Sequence, residues 1–381
     1  MTERPAPRKI GYCTNVHSGG TLEEMLANLQ KHVPGIRAHL GDKDPLPIGL
    51  WISRHSLDDL LTSGVQSLKE RLDQLQVDVF TINGFPYGNF HGQRVKHHVY
   101  EPNWSNSSRL VYTMQLARVL EGLLPRGSSA GISTLPIGWS DIAPDLVESA
   151  ASNLKAAAST LAALESQTGI CLHLDIEPEP GCLLQRSGDV ASFFENHLLC
   201  ASNEKVIRRH LRVCHDVCHA AVMFESQEDA IKTYDTAGIA IGKVQVSSAL
   251  QADGGHQKQM MELAEYVEPR WLHQTCIRQD EDITFIEDLP IAIKGNSPKE
   301  GECWRVHFHV PVHQTTMGSL STTQTDLIEA INLLADRPEI TAWEVETYAW
   351  SAIPSSQDQP DLVTGISEEI AWTRQALDAA S

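Results

Sequence analysis

The segment GICLHLDIEPEPG, residues 169–181, joins a short apolar run to an end armed with acids. Gly169 to Ile176 has the length and composition of a buried strand. Glu177 and Glu179 each precede a proline, and a residue before proline is held extended. An acid held this way projects from the strand end with little freedom. Glu177 is therefore a candidate for chemistry, and Glu179 a secondary one. Upstream, the Ala-rich stretch from Ile142 to Leu164 has high helix propensity. Before it lies another apolar run, Gly131 to Leu135, and further on come Leu211 to Cys214 and Lys243 to Val246.

The alternation reaches both ends of the chain. Lys9 to Thr14, Pro47 to Ile52 and Val77 to Ile82 are strand-like. Between them, Thr21 and Glu24 form a capping-box pattern ahead of Leu22, Met25, Leu26, Leu29 and Val33 at helical spacing. Ser56 with Asp59 opens a second stripe that runs through Leu57, Leu60, Leu61, Val65, Leu68, Leu72 and Leu75. A third helix is predicted from about Arg109 to Leu124. Strands alternating with helices make βαβ units and a parallel sheet, and eight units close a barrel.

Trp304 to Val312 and Ala342 to Tyr348 bring the strand candidates to nine, one too many. Gln274 to Val312 holds no clear helix. Trp304 to Val312 therefore reads as part of a long insertion, about residues 251–312, between strands seven and eight. Ala342 to Tyr348 then closes the barrel; taking Trp304 to Val312 as strand eight is the rival assignment. The pattern predicts one (β/α)8 TIM barrel domain over residues 1–381, a length that barrels with insertions reach.

The formal net charge is -19, with no Lys/Arg run. Phosphate neutralisation supplies most nucleic-acid affinity, so this balance speaks against a nucleic-acid partner. The N-terminal MTERPAPRKI has no apolar core after its charges and does not read as a signal peptide. No run of about 20 apolar residues could span a membrane. The eight cysteines form no CxxC pair, and Cys13, Cys171 and Cys214 sit in apolar runs. A cytoplasmic protein is expected.

In such barrels the active groups sit at the C-terminal strand ends. Strand six leads into His215-Asp216-Val-Cys-His219, a D-x-x-H step that lets Asp216 and His219 face one point. The bland alternative is a helix cap by Asp216 and a core His219. A carboxylate with an imidazole suits Zn, Mn or Fe, whereas Mg and Ca prefer oxygens. In the insertion, Arg305, His307 and His309 share a face if the segment is extended. Glu344 and Glu346 share a face of the last strand, where a buried acid needs a partner or a metal. Glu346 lies nearer the strand end and is the better ligand. The loop after strand three, NGFPYGNFHGQRVK at 83–96, offers His91 and Arg94 as substrate contacts, with Lys96 beside them. Gln245, Ser247 and Ser248 end strand seven as neutral hydrogen bonders, with Gln245 and Ser247 the substrate candidates. His17, His55 and His273 are weaker candidates. There is no GxGxxG, P-loop, GxSxG or HExxH.

These strand-end groups resemble the xylose isomerase-like barrel superfamily, which includes sugar isomerases, epimerases and endonuclease IV. Within it the chain looks like the metabolite traffic protein EboE family. The segments that carry the likeness are GYCTNVH (11–17), NGFPYGNFHGQRVK (83–96), GISTLP (131–136), EPEPG (177–181), HFHVP (307–311) and EVET (344–347). The resemblance implies a divalent-metal set of Glu177, Asp216, His219 and Glu346. Strand seven departs from the pattern, with Gln245 and Ser247 where sugar epimerases usually place His. His309 would compensate from the insertion. The missing His after strand four argues against a three-metal cluster and for one metal, or two. Zn or Mn is favoured over Mg, with Fe a further candidate. Glu177 and Glu346 would be the catalytic carboxylates, and His307 with Arg305 would meet substrate.

The family name implies handling of a small metabolite or secondary-metabolite precursor for export, beside membrane-protein partners. Three functions follow: a metal-dependent isomerase- or epimerase-like enzyme, a non-catalytic metal-containing metabolite-binding protein, and an endonuclease IV-like phosphodiesterase. The acidic balance and missing ligands weigh against the last.

Overall fold

A computed structural model describes residues 7–357 and 359–381. The N-terminal expectation above rests largely on residues 1–6, which lie outside this range. Seven strands come first in the barrel: β1 (Lys9–Cys13), β2 (Leu46–Trp51), β3 (Val77–Asn83), β4 (Ser129–Thr134), β5 (Cys171–Ile176), β6 (Leu211–Asp216) and β7 (Ile241–Val246). The last, β14 (Ala342–Val345), pairs in parallel with both β1 and β7 and closes the ring. Helices fill the connections, which is why the strands read as continuous apolar runs: both faces are covered. Helix Pro144–Thr168 starts on a proline at its first turn and stops at Gly169, whose φ of 73° is the left-handed cap geometry. That stop delivers the chain straight into β5.

The insertion is a second sheet. Strands β8 (Leu250–Asp253), β9 (Thr275–Gln279), β10 (Asp282–Ile286), β11 (Glu302–Val306), β12 (Thr316–Met317) and β13 (Leu320–Thr322) pair antiparallel in the order β10-β9-β11-β8-β13-β12. It therefore runs past residue 312, as far as Thr322. Glu302–Val306 pairs with β8 and β9, so the assignment of Trp304 to Val312 as strand eight fails. Trp304, Val306, Phe308, Trp271 and Tyr266 form its core together with Phe90 and Tyr348. Phe90 follows β3 and Tyr348 follows β14, so this core lies over the C-terminal end of the barrel.

Two helical expectations change. The stripe from Leu57 to Leu75 splits into Arg54–Ser63 and Val65–Leu75, because Gly64 (φ 88°) breaks it. Its cap is Ser53, whose side chain accepts from the Ser56 amide. A short helix, Leu289–Gly295, lies in the insertion where none was read. Among the described residues no helix is long and apolar enough to cross a membrane, and all eight cysteines are free.

The barrel interior carries charge. Lys243 Nζ lies 2.5 Å from Glu344 Oε2, with both side chains fully buried, and also donates to Ser133 Oγ. Burial would lower the lysine pKa, but Glu344 beside it raises it well above the usual value. Room for Glu344 comes from Gly49, where a Cβ would lie 1.3 Å from Glu344 Oε1.

Candidate metal centre

Glu177 leaves β5, Asp216 ends β6, and Glu346 follows β14. One oxygen of each lies within 4.8 Å of the others, and all three residues are buried. Glu346 is held by three donors: Asn15 Nδ2 (2.7 Å) and Asn83 Nδ2 (3.2 Å) on Oε1, and Gln245 Nε2 (3.1 Å) on Oε2. Asp216 Oδ1 accepts from the His219 amide (3.0 Å) and Ser247 Oγ (2.7 Å). Asp216 Oδ2 and Glu177 Oε2 are buried with no hydrogen-bond partner. Burial, then Glu346 and Asp216, push the Glu177 carboxyl well up. Burial, then Asp216 and Glu344, push Glu346 up to about 8. Burial acts to raise Asp216 too, but His219 and His309 beside it leave it lowered.

Three imidazoles complete the group. His219 follows Asp216 on a short helix, Val217–Val222. His307 and His309 come from the stretch just after β11. Each is fixed through Nδ1: His219 to Pro178 O (2.8 Å), His309 to Glu346 O (2.7 Å) and His307 to Gln274 Oε1 (2.8 Å). Gln274 is oriented in turn, because its Nε2 donates to Tyr100 OH, Glu179 Oε1 and Pro180 O. All three Nδ1 atoms therefore carry a proton, so in a neutral ring the Nε2 that faces the cluster presents a lone pair. His307 Nε2 lies 3.1 Å from His219 Nε2 and 3.2 Å from His309 Nε2. Lone pairs facing one another at this range repel unless a cation sits among them. Zinc binds imidazole nitrogen at about 2.0–2.1 Å, which sets neighbouring tetrahedral ligands about 3.3 Å apart. The unpartnered Asp216 Oδ2 is 3.8 Å from His219 Nε2 and 4.0 Å from His309 Nε2. Burial holds His307 far below the usual imidazole range and His309 at about 4, so both rings stay neutral. The donors fit a divalent cation, and their carbonyl-anchored Nδ1 atoms are the usual outer support of metal-bound histidine.

Above this floor lies a cavity of about 60 Å³. Phe85, Pro86, Phe90, Trp271 and Tyr348 wall it, and Glu177, His307 and Glu346 face it. Lys96 at its edge is tied to Asp288 (2.7 Å) and to Trp271 O (2.6 Å).

The sequence candidates separate into layers. Glu177, Asp216, His219, His309 and Glu346 meet, and His307, the candidate for a substrate contact, lies among them with its Nε2 turned to those of His219 and His309 while it also faces the cavity. Gln245 and Ser247 do not line the cavity; they orient Glu346 and Asp216. His91 sits behind Asn15, with its Nε2 2.6 Å from Asn15 O. Arg94 is exposed and does not line the cavity, although Val95 and Lys96 beside it do. Arg305 points elsewhere and pairs with Asp326 (3.1 Å). The shared face fails because β11 ends at Val306, where the Phe308 amide turns back onto Val306 O (2.8 Å). His17 is buried against His32, His55 is exposed, and His273 bonds His307 O. Asn15, Asn83, Tyr100, Gln274 and Tyr348 were missed. Asn15 and Asn83 stand at ends of barrel strands, and that position was the available signal.

No family model matches the sequence, and no curated protein matches it. Solved structures do. A xylose isomerase-like TIM barrel protein from Mycobacterium smegmatis, in complex with magnesium, superposes with a TM-score of 0.51 at 10% identity, over 98% of this chain and 97% of that one. D-Psicose 3-epimerase with D-tagatose, from Clostridium cellulolyticum H10, gives 0.50 at 13% identity, over 97% and 99%. With eight parallel strands closed into a ring and helices between them, the chain has the xylose isomerase-like TIM barrel fold.

Proposed function

We propose that the chain is a metal-dependent enzyme of the isomerase or epimerase kind, acting on a small polar metabolite or secondary-metabolite precursor. The observation that carries this is the convergence of three Nε2 atoms, each on a ring anchored through Nδ1, beside the unpartnered Asp216 Oδ2. In this reading Asp216, His219, His307 and His309 form a nitrogen-rich position, and Glu177, Asp216 and Glu346 an oxygen-rich one. Zn or Mn suits the mixed donors better than Mg. A bound cation would polarise a substrate carbonyl and hold the neighbouring oxygen.

The chain's own residues do the rest. Asn15, Asn83 and Gln245 fix the plane of Glu346. Glu177 keeps one oxygen free, held over the cavity by the proline that follows it. Two carboxyls this close on one cavity let one take a proton from carbon while the other returns one. The aromatic wall excludes water from that exchange. The cavity is well below the roughly 300–1,000 Å³ of drug-sized pockets, which suits a small ligand.

A second reading is a non-catalytic metabolite-binding protein of an export system with membrane-protein partners, as the EboE likeness suggests. It is supported by strand seven, whose Gln245 and Ser247 hold other site residues instead of binding metal. Elemental analysis of protein purified without chelator tests the shared premise. About one equivalent or more of Zn, Mn or Fe is expected, and metal-free protein that stays empty after soaking with each ion defeats both readings. Turnover of small sugars or hydroxyketones by the loaded protein then separates enzyme from binder.

A further inference from the structure

The opposite end of the barrel also opens. A cavity of about 510 Å³ lies among the N-terminal ends of the strands. Its floor is His173 with Phe80, and its rim carries Lys9, Asp78, Arg126, Arg212 and Glu339. Barrel interiors are ordinarily filled by layered side chains. Here Gly131 and Gly242 line the opening and make room for the His173 and Asp175 side chains beneath it; a Cβ on Gly131 would lie 2.8 Å from His173 Cε1 and 1.8 Å from Asp175 Oδ2.

His173 is 3% exposed, and its Nδ1 lies 2.6 Å from Asp175 Oδ1, deeper in the barrel. A carboxylate on Nδ1 fixes the proton there, so Nε2 on the opposite edge of the ring is an acceptor. That Nε2 has no protein partner among the described residues. Burial keeps the imidazole neutral against the pull of Asp175. On the rim, Lys9 and Asp78 satisfy one another as an ion pair. The Nε of Arg212 donates to Arg209 O at 3.3 Å, but its terminal nitrogens have no protein partner among the described residues. Arg126 is exposed, and Glu339 is the one rim carboxylate outside the Lys9 pair. The site thus offers an acceptor at its floor and free guanidinium donors at its rim, within a chain of strongly negative charge.

We propose that this N-terminal mouth is a second ligand site for a small hydroxylated anion, with His173 Nε2 accepting from a ligand hydroxyl and Arg212 and Arg126 holding the phosphate or carboxylate. The planar guanidinium fork matches either acid group. The volume falls in the usual range for a small-molecule site. The site lies at the far end of the barrel from the metal centre and does not depend on it.

Calorimetric titration of the full chain with 3-phosphoglycerate, and separately with inorganic phosphate, tests this. Saturable binding of 3-phosphoglycerate is expected, with phosphate weaker because it lacks the hydroxyl arm. Arg212→Met should weaken binding about tenfold or more, the loss of a charge-assisted hydrogen bond. Ser129→Trp, at an exposed lining position, should block the mouth without touching the barrel core. Glu346→Gln, at the other end, should leave binding unchanged. The proposal is overturned by no saturable binding at millimolar concentrations, by phosphate binding as well as 3-phosphoglycerate, by full binding in both mouth variants, or by loss of binding in Glu346→Gln.

Discussion

Two sets of buried charges stand one above the other in this barrel, and they are resolved differently. In the middle, Lys243 and Glu344 neutralise one another at 2.5 Å with no exposure. At the strand ends just above, Glu177, Asp216 and Glu346 crowd together with no Lys or Arg of the described residues set among them. Burying unpaired charge costs several kcal/mol. The middle pair therefore belongs to the fold, while the upper cluster meets burial by raising the Glu177 and Glu346 carboxyls and, in the proposed reading, is completed by a cation. Buried charge alone does not mark a site; buried charge left uncompensated, beside imidazoles already oriented, does.

The sharpest way to break this contrast is at the middle pair. Lys243→Met leaves Glu344 buried and alone, and should cost about 3–5 kcal/mol in urea unfolding. Lys243→Met with Glu344→Leu should recover much of that, because neither charge then remains. If Lys243→Met is neutral, the pair is not structural.

At the strand ends the expectation reverses. Asp216→Asn or Glu346→Gln should cut metal affinity by about 100-fold or more, roughly 3 kcal/mol. In metal-free protein each should hold or raise the melting temperature, since a repelling carboxylate is gone. A variant with full metal occupancy would show that the ligand set is wrong.

A smaller effect is expected one layer out. Gln274→Leu removes the acceptor that fixes His307 Nδ1, and should weaken metal binding by about 10-fold, as loss of such supports does. The readout is metal competition against a chelating dye, with the apo melting temperature as control. Unchanged affinity would remove His307 from the donor set. The least effect belongs to Arg94→Ala, at an exposed position that does not line the cavity. Stability should stay within about 0.5 kcal/mol and metal content should not move. A lost activity there would mean that the loop folds over the substrate.

The features legible in the chain alone are local in origin. Strand-helix alternation depends on neighbouring residues, so the barrel strands were readable, as was the closing role of Ala342–Tyr348, although the strand itself stops at Val345. Glu177, Asp216, His219 and Glu346 were readable as well, because a barrel sends its strand ends to one face. Packing of remote segments settled what depends on distant pairing. The insertion sheet joins strands from Leu250 to Thr322 that carry no short-range signature of one another. The turn after Val306 sends Arg305 to Asp326 and leaves both histidines at the candidate metal centre. Tyr100, Gln274 and Pro178, from three separate elements, set the outer supports. The ligands of a barrel follow from its periodicity, but the hydrogen bonds that fix their tautomers arise only when remote segments pack.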